Sequence, residues 1–247
     1  MKRGFYTIMS AQFFSSLADN ALFVTAVELL KTNGAAEWQR AALVPMFALF
    51  YVVLAPFVGA FADSRPKGDV MLMSNGIKVV GCLMMLFGVH PLLAYAVVGL
   101  GAAAYSPAKY GILTELLPAS QLVKANGWIE GLTITSIILG VLLGGQLVGP
   151  NLSAFLLSFD LPFFTTGVDT SAEAAICLLI PLYALAAWFN KRIPLTGAAY
   201  IPMRLDPEKS MTRNLLALVP DFGIATNVCG MTSWAKFHWP PRLCSGA

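Results

Sequence analysis

Charge is what this sequence has least of. Only 12% of its 247 residues are Asp, Glu, Lys or Arg, whereas a soluble domain carries about 25%. Hydrophobic residues make up 57%, and the mean hydropathy is +0.70. So little charge leaves too little polar surface to keep a globule of this size in water. The excess of apolar residues is instead expected to face the interior of a lipid bilayer. The composition therefore predicts an integral membrane protein.

Residues typical of catalysis and metal binding are also scarce. The chain has two histidines, His90 and His238, and no His-x-x-x-x-Asp pair or Gly-x-Ser-x-Gly elbow, which argues against an enzyme such as a membrane acyltransferase. Its cysteines show no metal-binding spacing, so we expect no metal and no cofactor. They are Cys82, Cys177, Cys229 and Cys244.

Six segments are long and apolar enough to cross a bilayer, which takes about 20 residues each. The first contains Asp19 and Asn20 and runs well past the core of a signal peptide, so we interpret it as a retained helix. The sequence thus predicts an all-α membrane protein with six transmembrane helices. The six segments are 5–30, 41–62, 70–89, 92–108, 128–148 and 172–189.

The loops between these segments carry Lys and Arg very unequally. Eleven lie on one side and two, Lys31 and Arg40, on the other. Because basic residues accumulate in cytoplasmic loops, the N-terminus and the segment after helix six are expected in the cytoplasm. The spread over loops, rather than over one face, argues against a nucleic-acid partner. The eleven are Lys2, Arg3, Arg65, Lys67, Lys109, Lys124, Lys191, Arg192, Arg204, Lys209 and Arg213.

Outside the spans the sequence predicts three further regions. Segment 149–171 has no Lys or Arg but several aromatic residues, which is consistent with an outer segment at the membrane interface or with a packed outer loop. The second region, 191–222, is a proline-containing cytoplasmic linker that follows the six-helix bundle of residues 1–190. Residues 223–247 lack a helical period, and a shifted reading frame is one interpretation of this tail, which sequencing the gene there would test.

Charges inside the apolar segments are costly unless they are paired or hydrated. Asp19 lies near the middle of the first segment, beside Asn20. Its carboxylate has two open interpretations, a structural ion pair between helices or a contact with substrate or an ion along a pathway. Lys78 lies nearer the inner surface of the third segment, where snorkelling or pairing is favoured over a direct role.

The loop between the second and third segments reads GAFADSRPKG. Gly59 would permit close helix approach, and Asp63 would cap the next helix and pair with basic residues across the bundle. With Arg65 and Lys67 this cluster would give a latch that forms in one conformation and breaks in another. This pattern resembles the signature loop of the major facilitator superfamily, although Pro66 alters the usual spacing.

The longest motif is SPAKYGILTELLP, residues 106–118, followed by KANGWIE at 124–130. Pro107 is expected to break helix four, and Gly111 to give the backbone freedom. Asn126-Gly127 predicts a turn before helix five. Lys109, Glu115 and Glu130 would then lie at the inner mouth of the bundle.

These two motifs, with QFF at 12–14 and LADNAL at 17–22, resemble the lysophospholipid transporter family of the major facilitator superfamily over about residues 5–222. The resemblance implies a twelve-helix transporter, of which this chain would hold the N-terminal half, incomplete for transport by itself. It implies a flippase that moves lysophospholipids, chiefly lysophosphatidylethanolamine, across the inner membrane of Gram-negative bacteria. An acyltransferase–acyl carrier protein synthetase would then re-acylate them on the cytoplasmic side.

The same resemblance suggests Asp19, Asn20 and Lys109 as substrate-binding residues. A phosphate favours a cation and an ammonium favours an anion, so one of each suits a zwitterionic headgroup. The alternative is a proton-coupled exporter of small amphiphiles in which Asp19 carries the proton.

Overall fold

The computed structural model describes residues 3–157 and 170–196, and in these ranges every regular element is an α-helix. The helices are α1 (Arg3–Thr32), α2 (Glu37–Val53), α3 (Ala55–Asp63), α4 (Lys67–Leu86), α5 (Pro91–Leu116), α6 (Ala119–Val148), α7 (Pro150–Leu157) and α8 (Ser171–Lys191).

Local sequence explains where several of these helices begin and end. Gly34 and Gly88 follow α1 and α4 with φ of 67° and 76°, a left-handed conformation that glycine adopts without steric cost. Pro91 opens α5 at a position where no amide hydrogen is needed. Thr170 and Glu173 cap α8 reciprocally, each side chain accepting from the other residue's backbone N–H.

Among the described residues, α1, α4, α5, α6 and α8 are long and apolar enough to span a membrane, and α2 with α3 gives a sixth span bent by 65°. The predicted six-span, all-α architecture is confirmed. The expectation of one continuous second span over 41–62 is wrong. The helix breaks at Leu54, whose φ and ψ are −101° and 1°, and Pro56 just beyond it has no amide hydrogen to continue the ladder.

Two other expected interruptions do not occur. Pro107 lies inside α5, which continues to Leu116, so the predicted end of helix four at Ala108 is wrong. A proline is tolerated in a membrane-spanning helix because neighbouring helices and local adjustment satisfy the freed backbone groups. Asn126 and Gly127 lie inside α6 rather than in a turn, since this helix already starts at Ala119.

The bundle packs around two apolar clusters with polar side chains between them. One cluster includes Leu22 and Leu30 of α1 with Tyr183 of α8, and the other includes Phe5 of α1 with Ile112 of α5. Between these levels the described helices bury a group of polar residues, here called the polar layer. It consists of Gln12, Ser15, Ser16, Ser74, Asn75 and Lys78, each less than 9% exposed.

Segments predicted to be cytoplasmic meet at one end of the bundle. A Cβ added to Gly4 would lie 3.0 Å from Cγ of Pro194 and 3.7 Å from Cδ1 of Leu116, so the start of α1 lies beside the ends of α5 and α8. Of the predicted outer segment, 150–157 forms α7 and 158–169 lies outside the described residues. The tail 223–247 and the linker beyond Thr196 lie outside them too.

Candidate substrate cavity

A cavity of about 460 Å³ opens beside the polar layer, with walls from α1, α2, α4, α5 and α6. Its volume falls in the range of about 300–1,000 Å³ typical of small-molecule sites. Asp19, Asn20 and Lys109 all line it, so the structure brings the three predicted substrate-binding residues to one site. The other lining residues are Gln12, Ser15, Ser16, Phe23, Val44, Phe47, Tyr51, Lys78, Tyr95, Ala102, Tyr105, Ser106, Thr133 and Ile137.

The Asp19 carboxylate is held from two other helices. Lys78 Nζ of α4 donates to Oδ2 at 2.6 Å, and the Tyr183 hydroxyl of α8 donates to Oδ1 at 2.8 Å. Its neighbour Asn20 donates instead to the Ser16 carbonyl at 2.8 Å, within α1. Asp19 therefore links three helices while its side chain stays 18% exposed toward the cavity.

Lys78 does not snorkel to the surface. Its side chain is only 2% exposed, and its ammonium also donates to Ser15 Oγ at 2.9 Å. Ser15 Oγ in turn donates to Asn75 Oδ1 at 2.8 Å. Of the two favoured interpretations of Lys78, snorkelling and pairing, the structure shows pairing, because the ammonium contacts Asp19 in the bundle interior.

Lys109 lies on α5 in a looser arrangement. Its ammonium is 3.8 Å from Glu130 Oε1 on α6, and the Glu130 side chain is 49% exposed. Tyr110 donates its hydroxyl to the same carboxylate at 2.6 Å, and its ring centre lies 4.3 Å from Lys109 Nζ. At 3.8 Å the two groups form an ion pair without a well-formed hydrogen bond. The Lys109 ammonium therefore has donors with which to bind another anion.

Aromatic side chains form another wall of the cavity. The rings of Phe23 and Tyr95 lie 6.2 Å apart, those of Tyr95 and Phe47 5.1 Å apart, and those of Phe47 and Tyr51 6.1 Å apart. The row crosses from α1 through α5 to α2. The cavity therefore combines charged groups with an apolar surface, which is the lining an amphiphilic ligand requires.

The residues of the predicted latch interact locally. Lys67 pairs with Asp63 four residues earlier and donates to the Ala62 carbonyl at 2.9 Å. Arg65 lies 5.6 Å from the centre of the Phe61 ring. A Cβ added at Gly59 would meet no described atom within 4 Å, so the close helix approach expected there is not observed.

Glu115 accepts a hydrogen bond from Thr196 Oγ1, just after α8. Both residues line a second cavity of about 290 Å³ with Lys67 and Lys191. Gly111 makes room for the Lys67 side chain, since a Cβ at this position would lie 3.1 Å from Lys67 Cε. Its small size, rather than the backbone freedom that was expected, therefore explains the glycine. Glu115 and Glu130, predicted together at the inner mouth, therefore belong to different clusters.

The family model described as "Major Facilitator Superfamily" matches residues 8–213. The chain belongs to this superfamily. Together with its apolar helices, membership makes it a multi-pass membrane protein of a transporter family.

Two curated members of the superfamily resemble the chain closely. The lysophospholipid transporter LplT of Yersinia enterocolitica is 43% identical over 199 residues, which cover 81% of this chain and 44% of that protein. The transporter of the same name from Yersinia pestis is 42% identical over 217 residues, covering 88% and 52%. The chain thus spans about half the length of these relatives.

A solved structure shares the fold at a TM-score of 0.63 and 20% sequence identity. It is a bacterial homologue of the human lysosomal transporter Spinster in an inward-facing, unoccupied conformation, and the match covers 85% of this chain and 47% of that one. The likeness supports the superfamily fold of the six-helix bundle.

Sequence reasoning missed several residues of this superfamily member's cavity and of the hydrogen bonds that hold its lining residues. Tyr183 is distant in sequence from Asp19, and its only signal was a hydroxyl in an apolar segment, which usually finds a partner when buried. The aromatic wall carried no motif either, because its rings come from three helices. Ser15 and Asn75 gave no signal beyond polarity within apolar runs.

Proposed function

We propose that this chain forms the N-terminal half of a lysophospholipid flippase, a secondary transporter that moves lysophospholipids across the bacterial inner membrane to the cytoplasmic leaflet. The observation that carries the proposal is the cavity, which combines a carboxylate, an ammonium and an aromatic wall. The name shared by the Yersinia relatives supports lysophospholipid as the cargo.

The proposed headgroup contacts follow from the charges around the cavity. Of the two cavity lysines, Lys109 is the one whose ion pair is looser, so it binds the phosphate. The phosphate then replaces Glu130, whose carboxylate is 3.8 Å from the ammonium. Asp19 and Asn20 lie on the neighbouring helix and contact the ammonium end of a zwitterionic headgroup. The aromatic wall packs against the apolar part of the lipid.

The proposed orientation has the N-terminus and the end of α8 in the cytoplasm. The distribution of Lys and Arg supports it, as does the meeting of Gly4, Leu116 and Pro194 at one end of the bundle. Delivery to this side would supply an acyltransferase–acyl carrier protein synthetase with lysophospholipid for re-acylation.

We assign conformational roles to two sets of residues at that end. Gly59, Asp63, Arg65 and Lys67 act as a latch, and the pairing of Asp63 with the buried Lys67 supports an element that can form and break. Glu115 and Glu130 act at the inner mouth, each holding a hydroxyl from another part of the chain.

A proton-coupled exporter of small amphiphiles is the less favoured function. It requires Asp19 to take up and release a proton, yet both of its carboxylate oxygens already accept hydrogen bonds, one of them from an ammonium at 2.6 Å. No described contact favours this alternative over the flippase.

The test is binding of radiolabelled lysophosphatidylethanolamine to the purified chain in lipid nanodiscs. We expect saturable binding that Lys109→Ala weakens at least about tenfold, since a hydrogen bond to a charged group contributes about 1.5–3 kcal/mol. The matched control is Lys31→Ala. Lys31 is an exposed lysine paired with Glu28 at 3.3 Å, remote from the cavity lining.

Two results would contradict the proposal. Binding that does not saturate would remove the lysophospholipid assignment. Equal affinity in the unaltered chain and in Lys109→Ala would remove Lys109 from the headgroup site and leave the cavity without its proposed phosphate ligand.

A further inference from the structure

The charge at the centre of the cavity wall is balanced inside the bundle. Lys78 and Asp19 come from α4 and α1 and pair at 2.6 Å, with side chains 2% and 18% exposed. Of the two, only the carboxylate has appreciable surface toward the cavity. Of this pair, a ligand in the cavity therefore meets mainly Asp19.

The Lys78 ammonium has little capacity left for a ligand. An ammonium has three hydrogen-bond donors, and two of them are used on Asp19 Oδ2 and Ser15 Oγ. Its Nζ also lies 5.2 Å and 5.7 Å from the ring centres of Tyr105 and Tyr183, within the range of a cation–π contact.

The surrounding helix surface is shaped to hold Lys78 in this place. A Cβ added to Gly101 of α5 would lie 2.8 Å from Lys78 Cγ and 2.6 Å from the Ser74 carbonyl oxygen. Both distances are shorter than van der Waals contact allows, so the lysine stem reaches Asp19 only because residue 101 has no side chain.

We infer that Lys78 and Tyr183 are positioning residues, which fix the direction in which the Asp19 carboxylate faces the cavity. The role of the positioned carboxylate toward a headgroup rests on the proposed function, but the positioning itself does not.

The test is chemical modification of Asp19 by dicyclohexylcarbodiimide, an apolar reagent that reacts with carboxyl groups within the membrane. The purified full chain in nanodiscs is treated, and modification of the Asp19 peptide is measured by mass spectrometry. We expect the unaltered chain to react slowly and Lys78→Met to react at least about tenfold faster, because removal of the ammonium frees Asp19 Oδ2 for the reagent.

Companion variants separate positioning from folding. Lys78→Arg keeps the charge and should stay slow, whereas Tyr183→Phe and Gly101→Ala should each raise the rate by a smaller factor. Lys31→Met is the control, since it removes an exposed lysine remote from the cavity lining and should leave the Asp19 rate unchanged. Circular dichroism and size exclusion establish that each compared variant is folded.

The inference is overturned if Asp19 of the unaltered chain reacts as fast as in folded Lys78→Met. If Lys78→Met does not fold, Gly101→Ala and Tyr183→Phe decide, and unchanged rates in both also overturn it. No lysolipid is used in this experiment. A slow, Lys78-dependent rate combined with absent lysolipid binding would therefore retain the positioning role and reject the proposed function.

Discussion

The cavity contains two lysine–carboxylate pairs that differ in almost every physical respect. Lys78 and Asp19 pair at 2.6 Å with side chains 2% and 18% exposed, and Ser15 and Tyr183 complete their hydrogen bonds. Lys109 and Glu130 are 3.8 Å apart, and Glu130 is about half exposed. The tight pair ties α1, α4 and α8 together, whereas the loose pair joins α5 to α6.

A charge in an apolar span need not be a ligand site, as the tight pair shows. The cost of burying the Asp19–Lys78 pair is offset within the bundle by complementary charge and hydrogen bonds. The Lys109–Glu130 pair is more loosely held, because its charged groups are 3.8 Å apart and the Glu130 side chain is about half exposed. We therefore expect the tight pair to dominate stability and the loose pair to respond to ligand.

The largest expected effect is from breaking the tight pair. Lys78→Met leaves a mostly buried carboxylate without its counter-charge and should lower the free energy of unfolding by about 3–5 kcal/mol. Lys109→Met should cost less, because the Glu130 carboxylate left without its partner is 49% exposed and can be hydrated. Unfolding in mixed micelles, followed by circular dichroism, measures both. The double variant Asp19→Asn/Lys78→Met should regain much of the loss, and additive losses would contradict a charge-balanced pair.

A smaller effect is expected at the tyrosines that accompany each pair. Tyr183→Phe removes a hydrogen bond to a carboxylate and should cost about 1.5–3 kcal/mol. Tyr110→Phe removes the equivalent bond to the half-exposed Glu130 and should cost less than about 1 kcal/mol, because water replaces it. The same unfolding measurement applies. Equal losses at the two positions would mean that the sites do not differ in burial as described.

Glycine substitutions should distinguish the two regions by steric fit. Gly101→Ala places a methyl group 2.8 Å from Lys78 Cγ and should destabilise by about 1–3 kcal/mol through overpacking. Gly131, beside Glu130, has no described atom within 4 Å of an added Cβ. Gly131→Ala is the matched control, and it should be neutral or stabilising because alanine favours the helix. A neutral Gly101→Ala would contradict the packing described around Lys78.

The smallest expected effect concerns ligand affinity at the loose pair. Glu130→Gln removes the anion that competes for Lys109 and should strengthen lysophosphatidylethanolamine binding by no more than about fivefold, because a 3.8 Å contact with a half-exposed carboxylate is weak. The nanodisc binding assay measures it, with Glu28→Gln near the C-terminal end of α1 as control. Weaker binding in Glu130→Gln would assign Glu130 itself to the headgroup.

The sequence predicted the positions of the spans better than the breaks within them. The apolar runs correspond to α1, α4, α5, α6 and α8, because run length and hydropathy are local properties. Pro107 and Asn126-Gly127 did not interrupt their helices, whereas the second span broke at Leu54 without being predicted to. Whether a proline or glycine ends a membrane helix depends on what the neighbouring helices supply.

What the sequence determined by itself is that the chain crosses a membrane, in which orientation it is expected to lie, and that Asp19 and Lys109 are unusual in it. Apolar run length, basic loops and charges within spans are all readable one segment at a time. Only the tertiary structure decided which cation neutralises Asp19, since Lys78 and Tyr183 lie 59 and 164 residues away in the chain. Partners across a bundle are chosen by which helix faces meet, and no local pattern contains that choice.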